Sequence, residues 1–288
     1  MKKILLFTLL TALLFSCKNK TVSDTSADSY TAFAEKVKQL DLKAENFEDV
    51  TDFIELTGAD YMPGIGNDPY NYEKYLGNVV LAAANLGVYV ADGLYQFTYN
   101  EYTDGYNSMT AAKNIADHLE LGAVFDDLMM DRYNDTTVYA DSILTVVGRC
   151  ITESKLLLNK EDKMQVFTGL IGGNYIEKLY IMFNIIFEYN IDLPEDAKLT
   201  ILRQVLLTTN EFLKKLPDVI ALVESVKKET DPGTILDMLK EIEALRQQVK
   251  YKDEFGNLTP AMIFENPELI AMYKKIKEVR TFIVAVPK

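Results

Sequence analysis

The chain has 288 residues, 48% of them hydrophobic, with 30 Lys and Arg against 43 Asp and Glu and a formal charge of −13. So acidic a surface repels phosphate backbones, so nucleic acid is excluded as an expected partner. One histidine and two cysteines leave no zinc site built on several imidazoles and no disulfide framework, so a hydrophobic core has to hold the fold.

The chain opens with Lys2 and Lys3, an apolar run over residues 4–15, then Ser16 and Cys17. A short basic region, an apolar stretch and a small residue at the cut describe a secretory signal over residues 1–16. The run falls short of the ~20 residues that span ~30 Å of hydrocarbon. Leu14-Phe15-Ser16-Cys17 resembles a lipobox, with Phe15 bulkier than the usual residue there. That resemblance implies cleavage before Cys17, acylation of its thiol and new amine, and a membrane held through that lipid. Residues 18–29 are small and polar, and read as a flexible tether over 17–29. Bacteroidota lipoproteins displayed outside the cell resemble one another in an acidic patch after the cysteine, whereas Lys18 and Lys20 stand here and the first acid is Asp24. The expected address is therefore the periplasmic face of the outer membrane, with the cell surface as the alternative. With Cys17 acylated, Cys150 reads as a small core residue.

From residue 30 onward the apolar spacing is helical. Phe47, Val50, Phe53 and Ile54 repeat at three and four residues before Gly58, a plausible C-terminal stop. Pro63, Gly64, Gly66 and Asp68-Pro69 mark a loop over 59–71. Residues 72–99 then form one long apolar pattern, followed by helical patterns over 102–121, 124–133, 136–158 and 162–189. Pro194, followed by Glu195 and Asp196, opens a helix toward Leu216 with proline at its first position. Pro217 breaks or kinks the chain between two helical pieces. Asp231-Pro232 and Asn266-Pro267 repeat the capped-proline start, and residues 251–265 read as a loop. No sustained period-two pattern or fixed repeat is present. The expected fold is all-α: an irregular bundle of roughly eight to ten helices without a sheet, forming a single domain over 30–288 or two packed lobes.

Asn67-Asp68-Pro69-Tyr70-Asn71-Tyr72-Glu73-Lys74-Tyr75, then Asn85-Leu86-Gly87-Val88-Tyr89-Val90-Ala91-Asp92, resembles a family of Bacteroidota helical lipoproteins. Gly172-Gly173-Asn174-Tyr175-Ile176-Glu177-Lys178-Leu179-Tyr180 is similar to a second block of that family, departing from it where tryptophan is usual. The resemblance implies an envelope address and a helical fold, and no activity.

Polar residues inside apolar helices are the candidates for a site. Asn78, Asn85, Asp92 and Tyr99 fall seven apart, nearly two turns, and so form a slowly drifting line on one face. Asn174, Glu177 and Asn184 interrupt a second helix, after Gly172-Gly173 permits close backbone approach. Arg203, beside Gln204, adds a cation in a third. Two readings stay open. Asp92, Glu177 and Arg203 converge, with Asn85 and Asn174, on a polar pocket walled by Tyr95 or Tyr99; or these residues form a satisfied buried network or separate solvent-facing positions. Tyr95, Tyr99, Tyr102 and Tyr106 form an aromatic stripe if no break occurs near Asn100, and as readily a rim of tyrosines whose rings lie in the core.

Catalytic and cofactor templates mostly fail. His118 has no elbow motif beside it, Gly172-Gly173 lacks the Gly-Lys-Ser/Thr of a phosphate loop, and Asp126, Asp127 and Asp131 miss a calcium-loop spacing. No cofactor or metal is expected. The leading expectation is a membrane-anchored, non-enzymatic helical body that binds a small molecule or an envelope protein. The alternative is an envelope glycan hydrolase using acids such as Asp92 and Glu177.

Overall fold

The computed structural model describes residues 31–33, 35–36, 53–54, 57–125, 160–188, 194–225, 233–249, 259 and 263–285. Cys17, Cys150, the acids Asp126, Asp127 and Asp131, the start at Asp231-Pro232, and the expected helices over 126–133 and 136–158 lie outside them. Among the described residues 83% are helical, in eight helices with no strand.

The Asp68 side chain accepts from the amide of Tyr70 and caps a 3-10 helix, Pro69–Tyr75. The single helix predicted over 72–99 is broken directly afterwards. Asn78 Oδ1 accepts from the amides of Val80 and Leu81, both at 3.0 Å, so a new helix, α1, starts at its cap and runs Val79–Thr98. The heptad asparagine thus satisfies orphan N–H groups of the first turn. Asn100 then takes a left-handed φ of 62°, which asparagine tolerates better than most residues, and α2 runs Tyr102–His118. That break divides the tyrosine stripe. Tyr95 and Tyr99 stay with α1, while Tyr102 and Tyr106 are exposed on α2 against Phe97.

A single turn, α3 (Gly122–Phe125), precedes the longest helix, α4 (Lys160–Glu188). Pro194 has an extended ψ of 145° and stands just outside α5 (Glu195–Leu213), one residue earlier than expected. Pro217 is the second residue of α6 (Leu216–Ser225), where its missing N–H falls among the first-turn donors, and the chain breaks between α5 and α6 as expected. The last two helices are α7 (Gly233–Gln248) and α8 (Pro267–Val284), the latter capped by Asn266 Oδ1 on the Leu269 amide at 2.8 Å.

α1 lies at the centre. All but one of its residues from Ala82 to Gln96 are buried, as expected of a helix apolar on every side. Ala84, Val88 and Tyr95 pack into a core shared with α4 to α8, while Ala82, Leu86, Tyr89 and Val90 pack into one shared with α2 and the start of α4. Glycines let α1 and α4 cross in backbone contact. A Cβ on Gly87 would stand 2.2 Å from the Leu170 carbonyl oxygen, and one on Gly173 2.0 Å from that of Ala84. Asn174 Nδ2 donates to the Gly87 carbonyl at 3.1 Å across the same crossing. Gly172 plays no part in this contact, because nothing lies within 4 Å of where its Cβ would be.

Adjacent glycines in one helix therefore have opposite expected outcomes. Gly173→Ala should cost ~1–3 kcal/mol by wedging the crossing apart, whereas Gly172→Ala should gain up to ~1 kcal/mol from helix propensity alone. Urea unfolding of the two variants compares them directly.

Candidate functional site

The polar line on α1 faces the loop over 59–68, and it satisfies that loop's backbone group by group. Tyr99 Oη donates to the Ala59 carbonyl at 2.7 Å, and Tyr95 Oη accepts from the Met62 amide at 3.0 Å. Asp92 Oδ2 accepts from the Asn67 amide at 2.8 Å, and Tyr89 Oη donates to the Asp68 carbonyl at 2.8 Å. Asn85 Oδ1 accepts from the Asn67 side chain at 3.2 Å, while its Nδ2 donates to the Ile283 carbonyl at 2.8 Å. Tyr75 Oη donates to the Val284 carbonyl at 3.0 Å. The last two bonds fill carbonyls that the end of α8 cannot fill itself. A buried loop needs such partners because its backbone has no ladder to pair with.

At the middle of this line two carboxyls meet. Asp92 from α1 and Glu177 from α4 are both 0% exposed and adjoin one another. The guanidinium that grips Glu177 is Arg280 of α8, and not Arg203 of α5 as one of the two sequence readings had it. Arg280 Nε lies 3.1 Å from Glu177 Oε2, and Nη2 3.2 Å from Oε1, a two-pronged ion pair. Nη2 also donates to the Ile65 carbonyl at 3.3 Å, and the guanidinium stacks over the Tyr180 ring. Arg203 stays half-buried on α5. Gly66 completes the closure, since a Cβ there would stand 3.1–3.3 Å from the Asp92 carboxyl atoms.

Two fully buried carboxyls beside one largely buried cation cannot all be charged cheaply. Burial above all, and then the neighbouring Glu177, raise the Asp92 acid well above its ordinary 3.8, and Arg280 and the Asn67 amide offset this only in part. Asp92 is therefore held neutral. Its Oδ1 has no hydrogen-bond partner among the described residues. Burial works against the charge on Arg280, but the ion pair with Glu177 outweighs it and holds the guanidinium more firmly protonated. Burial pushes the Tyr95 phenol up to about 12, so it stays a neutral acceptor for Met62.

Of the residues singled out in the sequence, Asn85, Asp92, Tyr95 and Tyr99 all join this network from α1, and Glu177 joins it from α4. Asn174 serves the α1–α4 crossing instead, and Asn184 accepts from Tyr273 of α8 at 2.8 Å. His118 is exposed on α2. Among the described residues no group of three or more His, Cys, Asp or Glu could hold a metal ion.

On another side of the α1–α4 crossing lies a small apolar pocket of about 40 Å³. Val80 of α1, Thr168 and Gly172 of α4, Val223 of α6, Ile235 of α7 and Ile283 of α8 line it. Comparison with known proteins finds no matching family model, no similar curated protein and no similar solved structure.

A neutral Asp92 predicts a specific pH signature. An acid whose folded value is raised gives stability that is full below its unfolded value and is lost as pH rises toward the folded one. Against Asp92→Asn, which keeps the shape without the titration, the wild type should lose ~1.4 kcal/mol per pH unit above 3.8, until the raised value is reached. Arg280→Met leaves Glu177 buried without its cation and should cost ~3–5 kcal/mol at neutral pH. Urea unfolding across a pH series measures both.

Proposed function

We propose that the chain is a lipid-anchored lipoprotein of the cell envelope whose helical body binds a small molecule or protein partner without catalysing a reaction. The address rests on the signal-like residues 1–16 and on Cys17. The basic Lys18 and Lys20 favour the inner face of the outer membrane over the cell surface. The likeness of the blocks around Asn67 and Gly172 to Bacteroidota helical lipoproteins belongs to the same proposal. Among the described residues no helix is long and apolar enough to cross a membrane.

The observation that carries the choice of binding over hydrolysis is the closure of Asp92 and Glu177. Glycoside hydrolysis needs one carboxyl that hands a proton to the leaving oxygen and another that reaches water or the sugar carbon. Both carboxyls here are fully buried, and Arg280, Asn67 and Gly66 occupy their surroundings. Opening the pair would break the Arg280–Glu177 ion pair and the bonds from the Asn67 amide to Asp92 and from Arg280 to the Ile65 carbonyl. The apolar pocket at the α1–α4 crossing, lined by Val80, Val223, Ile235 and Ile283, supports a binding body instead.

Metabolic labelling with a palmitate analogue tests the anchor: the wild-type chain should take up the tag and Cys17→Ser should not. Equal labelling of that variant would contradict the lipid anchor. Release of new reducing ends from envelope glycan by the purified chain, lost in Glu177→Gln, would favour the hydrolase.

A further inference from the structure

Exposed apolar side chains that stand singly on a surface need no account. Tyr102 and Tyr106 instead stand one turn apart on α2, 51% and 44% exposed, and share a third ring. Phe97, in the last turn of α1, lies half-buried against Gly105 of α2, where a Cβ would stand 2.7–2.9 Å from three of its ring atoms. Glycine at 105 lets the ring approach the α2 backbone that closely. The Phe97 centroid is 6.3 Å from that of Tyr102, with the ring planes at 46°, and 5.4 Å from that of Tyr106, at 85°. Rings turned so far from one another line a concave cradle, whereas a flat stacking platform needs them nearly coplanar. The Tyr102 hydroxyl donates to Asn100 Oδ1 at 2.8 Å, and Asn100 is the left-handed residue that ends α1. Phe97 and Tyr102 are thus held in place before any ligand arrives.

The surroundings of the cradle are negative. Phe97 stands at the carbonyl end of α1, where the helix dipole is negative. The positive end of the α2 dipole is answered by Glu101 and Asp104, both exposed at the start of that helix. Asp104 also accepts from the Tyr61 hydroxyl at 3.2 Å. The chain as a whole carries −13, a field that draws cations toward it. We infer that Phe97, Tyr102 and Tyr106 form a binding site for a small quaternary ammonium compound. The methyl groups lie against the rings, and the charge is answered by the ring faces and the two carboxylates nearby. A primary ammonium is strongly hydrated and gives up more on meeting aromatic walls, so the methylated cation is the better occupant. This assignment rests on the binding reading above, and uses neither the lipid anchor nor the pocket over Gly172.

The test is a titration of the purified full chain with choline, followed by amide NMR and set against its uncharged isostere, in which carbon replaces the nitrogen. Choline should give saturable shifts at residues 97–106, and the isostere should bind at least about fivefold more weakly. Tyr106→Leu should weaken choline binding about three- to fivefold, whereas Tyr106→Phe, which keeps the ring, should retain it. Neither change should lower the melting temperature, because the side chain is exposed. Equal affinity for the isostere, undiminished binding by Tyr106→Leu, or choline shifts that do not saturate or that fall elsewhere would overturn the assignment. Such a failure would leave the choice of binding over hydrolysis standing, since that choice falls only if the chain releases reducing ends from glycan.

Discussion

The fold depends on how one excess negative charge is kept out of a dry interior. Asp92 and Glu177 meet on the two helices that cross most closely, and a single guanidinium, Arg280, reaches them from the last helix. A proton on Asp92 resolves the imbalance. It leaves one carboxylate for one cation, and leaves Asp92 Oδ2 free to accept from the Asn67 amide. Three distant parts of the chain are thereby joined: α1, α4 and α8, with the loop over 59–68 laid across them. Buried ion pairs add little net stability over well-packed apolar groups, while breaking one is costly. The cluster is best understood as fixing which helices meet and in what register.

The glycines at the α1–α4 crossing serve the same end by a different force. Backbone approach at Gly87 and Gly173 lets Asp92 and Glu177, each a few residues further along its helix, come together. Beside that contact, over Gly172, lies a small apolar pocket lined from α1, α4, α6, α7 and α8. Closed polar centre and open apolar cavity thus lie beside one crossing. The first is a closed polar cluster; the second is a small pocket with apolar walls.

Much of this was legible in the sequence, because burial leaves a mark when a polar residue interrupts an apolar helix. Asn85, Asp92 and Glu177 were found that way, and all three are fully buried. Arg280 was missed because it follows Lys274, Lys275 and Lys277 in a helix whose basic residues read as a solvent face. Its spacing held a clue: it stands four residues after Ile276 and three before Ile283, at the edge of the apolar stripe. Arg203 drew attention because its neighbours are apolar, but sequence carries no information on which of two guanidiniums reaches a given carboxylate 103 residues away. The 3-10 helix and the break at Gly77-Asn78 were hidden because the apolar pattern continues through them. Nor does the spacing of polar residues say what they face, and here the α1 line faces the chain's own loop. The cavity had no sequence signature beyond the doubled glycine.

The central claim is that Asp92 is neutral in the folded protein at physiological pH. Carbon NMR of the Asp92 side-chain carboxyl, assigned by comparison with Asp92→Asn, reports its protonation directly through a pH titration. The account predicts a carboxylic-acid shift at neutral pH and no titration near 3.8. A carboxylate shift at neutral pH, with a midpoint close to that ordinary value, would contradict it.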